Sequence, residues 1–95
     1  MNIIVAHATG FSVDNDSTIK DEFIPNKNGG ADINRSIHPK HLYDVKSTPS
    51  DNVQVLCDNG KGYFCIFESN RKIKIVKDMS NEEVEQLKHN LKKWQ

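Results

Sequence analysis

No stretch of this sequence approaches the roughly 18 to 20 consecutive apolar residues that a bilayer-spanning helix needs. The opening residues MNIIVAHATG carry no basic segment ahead of their short apolar run, so neither a secretory signal nor a membrane anchor is expected. Aromatic residues are scarce at 7% and hydrophobic residues reach only 36%, which limits the core to a modest body. Excess charge of either sign is absent, since 13 basic residues balance 13 acidic ones. Nucleic-acid coats usually carry a basic surplus because phosphate neutralisation supplies most of their affinity, so the balance argues against a general coat role and leaves a local patch open. Cysteine occurs twice, and without an export signal a reducing, cytoplasmic setting is the expectation.

Several catalytic and ligand motifs are missing too. NKNGG at 26–30 offers glycines for a phosphate-binding nest but lacks the GK[ST] ending of a P-loop. Asp14, Asp16 and Asp21 lack the glycine and the distal glutamate of a calcium loop. No nucleophile elbow, dinucleotide fingerprint or carboxylate pair appears. No cofactor is expected, and an enzyme is the less favoured reading.

What is present defines a fold. Ninety-five residues make one α+β domain, residues 1–95. IIVAHA at 3–8 reads as a buried strand, and TIKDEFI at 18–24 as a second strand ending at Pro25. Residues 25–41, rich in Pro, Gly and Asn, read as a long loop. From residue 53 the pattern sharpens into a three-stranded β-meander over 53–77. Asn59-Gly60 is a hairpin signal, and a two-residue type I′ turn is expected there. Lys72, Ile73, Lys74 and Ile75 alternate wet and dry. Ser80 and Glu83 form a capping box that opens a helix over 80–94. Its apolar stripe is Val84, Leu87, Leu91 and Trp94. The expected architecture is an antiparallel sheet of four to six strands, with the three-stranded C-terminal meander packed against one C-terminal helix.

Candidate chemistry centres on the cysteines and histidines. Across a two-residue turn, strand alternation sends Cys57 and Cys65 to opposite faces. A three-residue turn would set both on one face, but diagonally, roughly 7 to 8 Å apart. Either geometry is poor for a disulfide, which leaves both as small hydrophobes of the core. A metal site would need His38 and His41 as well. Zinc cysteines usually come as a tight CxxC pair, so no metal is expected, with His38, His41, Cys57 and Cys65 the only weak candidates. His7 lies inside an apolar strand near Thr9 and Ser12. It is a weak candidate general base, with His38 and His41 beside it, against the commoner role of a histidine bonded within the core.

Binding chemistry has its own set. Tyr63 and Phe67 share a strand face, and Lys72, Lys74 and Lys77, with Arg71 at the turn, form a basic strip beside them, an arrangement that can stack and neutralise nucleic acid. Lysines on an edge strand also serve simply to prevent aggregation. The expected function is a small non-catalytic binding protein acting by contact with another protein. Ten Asn, eleven Lys and nine Ile imply AT-rich coding, which points to a phage or mobile-element accessory or inhibitor protein. Nucleic-acid binding is the first alternative and a His-dependent hydrolase or transferase the second. No membrane partner is expected.

Overall fold

Alternation of apolar and polar residues at period two turns most of this chain into strands. The computed structural model describes residues 1–42, 47–69 and 72–93. It has strands β1 (Ile3–His7), β2 (Gly10–Asp14), β3 (Ser17–Pro25), β4 (Ala31–Pro39), β5 (Asn52–Cys57), β6 (Gly62–Phe67) and β7 (Ile73–Asp78), then helix α1 (Asn81–Lys93). The strands form one sheet in the order β2-β1-β5-β6-β7-β4-β3, with every neighbouring pair antiparallel. The α+β expectation holds in outline, but seven strands replace the expected four to six.

The sheet curls around its larger core. Ile3 and Val5 of β1, Val55 of β5, Tyr63 and Cys65 of β6, Ile73 of β7 and Ile37 of β4 bury their side chains in one cluster. β1 and β4 are separated by three intervening strands, so only a strongly bent sheet brings Ile3 and Ile37 into one interior. The ends meet through Ser17, whose amide and hydroxyl both donate to the Met1 carbonyl, at 3.1 and 2.8 Å. Asp14, fully buried, braces that corner. Its carboxylate accepts from the amides of Asp16 (2.8 Å) and His41 (2.7 Å).

Helix α1 covers only part of the outer face. Val84, Leu87 and Leu91 bury against Ala6 and Leu56, with Ile4, Phe11 and Met79 around them. Trp94, the fourth residue of the expected stripe, lies outside the described residues, as do Tyr43 and Arg71. The capping box forms as expected. The Glu83 amide donates to Ser80 Oγ at 3.2 Å, and the Ser80 amide donates to Glu83 Oε1 at 3.0 Å. These bonds hold the Glu83 carboxyl below its ordinary pKa. No helix among the described residues is long and apolar enough to cross a membrane.

Two expectations are corrected. The long loop at 25–41 is the second half of a β-hairpin, because Ile33, Arg35 and Ile37 alternate through Asn and Ser that are neutral in a strand. Only 26–30 turn the chain. There the Asn26 side chain accepts from the amides of Asn28 (3.1 Å) and Gly30 (3.0 Å), so the NKNGG amides serve Asn26 rather than an anion. The turn after β5 is also different. The Gly60 amide donates to the Cys57 carbonyl at 3.0 Å, and Cys57 in turn donates to Lys61 at 2.8 Å. Gly60 alone takes positive φ (88°), the pattern of a three-residue turn closed by a glycine bulge. The register slips by one residue, and a slip of one reverses the face of every following side chain. Leu56 opposes Gly62 and Val53 opposes Cys65.

Candidate functional site

That slip decides the fate of the thiols. Cys57 and Cys65 point into the same core cluster rather than to opposite faces, yet both remain free. Burial, with Asp58 nearby, pushes the Cys57 thiol up to about 11; burial and the neighbouring Cys57 push Cys65 up to about 12. Both shifts favour the protonated thiol, the less nucleophilic form, at neutral pH.

The histidines are not gathered either. His7 ends β1 opposite Gly10, with Thr9 Oγ1 at 3.3 Å from its Nδ1. The His41 amide is tied to Asp14, which pairs with Ile3 at the other end of the same β1–β2 hairpin. Four residue steps along β1 separate those ends, roughly 13 Å. His38 Nε2 lies 3.9 Å from Glu22, and His41 Nε2 lies 4.0 Å from Asp16. Among the described residues no three His, Cys, Asp or Glu side chains converge as metal ligands. A groove of about 560 Å³ is lined by Ala6, His7, Gln54, Phe64, Cys65 and Val76; the side-chain contact of His7 there runs to Thr9 Oγ1, and the Cys65 thiol is 2% exposed and belongs to the core.

The aromatic binding face also needs correction. Tyr63 is 2% exposed and belongs to the core, and Phe67 packs against it, because the sheet bends toward this face. The Tyr63 ring instead receives Arg35, whose guanidinium carbon sits 5.2 Å from the ring centroid. Arg35 also bonds Asp78 Oδ1 at 3.1 Å and lies 3.5 Å from Asp21. Burial opposes its charge, but the Tyr63 hydroxyl, Asp78 and Asp21 outweigh that and raise its pKa. Lys72 and Lys74 are exposed as expected, but on the opposite side of the sheet from the Tyr63 ring in the case of Lys74, since it alternates with buried Ile73 and Ile75. Lys77 covers the outward ring of Phe64 at 5.0 Å.

A surface not anticipated from the sequence is the outer half of β3 and β4. β4 pairs with β7 only at Ser36↔Lys74 and Ile37↔Ile73, whereas it pairs with β3 along all nine residues. Beyond that seam the hairpin projects as an arm, and the molecule is 48 Å long but only 28 by 22 Å across. Phe23 and Ile33 are cross-strand partners on one face of the arm, 71% and 61% exposed. Between the arm and β7 lies a cleft of about 400 Å³ lined by Ile24, Ile33, Arg35, Val76 and Asp78. Val76 of β7, 57% exposed, also lines this cleft. The sequence signal was the alternation from Ile33 to Ile37, hidden between Gly29-Gly30 and Pro39. Compared with protein-family models, with curated proteins and with solved structures, the chain matches none.

Proposed function

We propose that this chain is a non-catalytic binding protein that docks on another protein through the apolar tip of its β3–β4 arm. The observation that carries this reading is the pair Phe23 and Ile33, side by side and exposed at the end of a projecting hairpin. A paired aromatic and branched aliphatic at a protruding tip costs solubility unless a partner covers it. Large rigid apolar anchors of this kind supply most of the energy of protein interfaces. Ile24, on the arm's other face, and Val76 of β7 add exposed apolar surface around the neighbouring cleft, where Arg35 bonds Asp78 and Tyr63. Such a wedge suits an accessory or inhibitory protein, including one of phage or mobile-element origin, which needs contact area and no chemistry.

The test is affinity capture from a host lysate with the native chain and with Phe23→Ser and Ile33→Ser side by side. The native chain is expected to hold a stoichiometric protein that both variants release. Because both side chains are exposed, folding stability should stay within about 0.5 kcal/mol of native. Capture of nothing, or equal capture by the variants, rejects the reading.

A further inference from the structure

The arm has a free edge as well as an apolar face. β3 is the last strand of the sheet, β4 is its only strand partner, and no strand lies beyond it among the described residues. It runs nine residues in unbroken register with β4, without a bulge, and its only proline is the terminal Pro25. A long regular edge of this kind is a template for another strand. Proteins that keep such an edge apart usually give it like charges, which repel in every register. Here the charges are mixed, in the order Thr18-Ile19-Lys20-Asp21-Glu22-Phe23-Ile24.

That order is self-complementary about Asp21. We infer that β3 pairs with β3 of a second copy of this chain, antiparallel and two-fold symmetric, with Asp21 on the axis. Two identical edges joined by a two-fold axis perpendicular to the sheet bring together only residues of equal parity, since side chains alternate faces. This leaves three central registers. Centred on Lys20, the pairing sets lysine against lysine and Ile19 against Asp21. Centred on Glu22, it sets glutamate against glutamate and Asp21 against Phe23.

Centred on Asp21, it sets Lys20 against Glu22 and Ile19 against Phe23, each twice over. Opposite charges and aromatic–branched pairs directly across are the stabilising cross-strand combinations. The one like-charge pair, Asp21 with its copy, is relieved on both sides by Arg35, 3.5 Å from Asp21 on the same face of the arm. Ile19 packs against its own core, so the pairing lays each exposed Phe23 beside the rooted apolar base of the other arm.

Sedimentation velocity and light scattering on the full chain test this. The native protein is expected to show twice the 10.8 kDa chain mass. Lys20→Glu turns two attractive pairs into two repulsive ones and should weaken the dimer about tenfold or more. Adding Glu22→Lys to it restores complementarity and should restore the dimer. Asp21→Cys should cross-link across the axis under mild oxidation, with little background because Cys57 and Cys65 are buried. Circular dichroism checks that these surface variants fold. A monomer at all concentrations, a dimer indifferent to Lys20→Glu, no rescue by the double variant, or no cross-link each overturns the inference. It stands apart from the docking role of the tip: a dimer that captures no partner rejects only that role, and a monomer that captures one rejects only this pairing.

Discussion

Asp14 shows how much one side chain can organise here. It is fully buried and its two oxygens each accept a backbone amide, one from Asp16 and one from His41. Asp14→Ala leaves two amides without their acceptor at the corner where the curled sheet meets its own start. A loss of about 2 to 3 kcal/mol is expected, read as a lower urea midpoint. The cysteines act at the same scale, as apolar volume. A folded pKa raised from 9.0 to about 11 and about 12 favours the folded state fully below pH 9. That contribution falls away as pH climbs from about 9 through those folded values, because the unfolded chain ionises first. Denaturation midpoints should therefore decline across that range and decline less in Cys65→Ala once its own offset is subtracted. In the native protein a thiol reagent should find neither cysteine at neutral pH and both after denaturant is added.

Between elements, the docking of α1 turns on Gly62. A Cβ there would come within 2.9 Å of both Met79 Sδ and Val84 Cγ2. Methionine can move aside, but a β-branched residue one turn into a helix is stiff. Gly62→Ala should cost about 1 to 3 kcal/mol through overpacking. Leu87→Ala, by deleting the centre of the helix stripe, should cost about 2 to 5 kcal/mol. Both are read as lower thermal midpoints, with the β-rich signal of circular dichroism retained. The helix, its cap and the strands β5 to β7 were legible in the sequence because their signals are local: a capping box, a 3.6-residue stripe, period-two alternation. The β3–β4 hairpin was obscured by composition, since glycine, proline and asparagine crowd its turn and dilute a regular strand of nine residues. The turn at 57–61 turned on a single residue, because Asn59-Gly60 suits a two-residue loop and a three-residue bulged loop equally well.

At the scale of the whole molecule, the decisive fact is the bending of the sheet. The candidate interaction face, Tyr63 with Phe67, followed from correct alternation, yet Tyr63 ended inside the larger core with Phe67 packed against that core. Face is a property of one strand, whereas inside and outside depend on how seven strands close, and residues as distant as Ile3 and Ile73 set that closure. For the same reason the alternation from Ile33 to Ile37 marks a strand in the sequence, but not that its outer residue and Phe23 stay exposed.

The seam between β4 and β7, only two residue pairs wide, has a kinetic consequence. Strands β1, β5, β6 and β7 are laced together over most of their length, so their amide protons should exchange with solvent only on global opening. The arm hangs from Ile37, Ile19 and that narrow seam, and its outer amides should exchange far sooner, in a gradient rising from Ser36 toward Asn34 and Asp32. The molecule would then come apart from the tip inward, shedding its protruding hairpin while the barrel-like body stays shut.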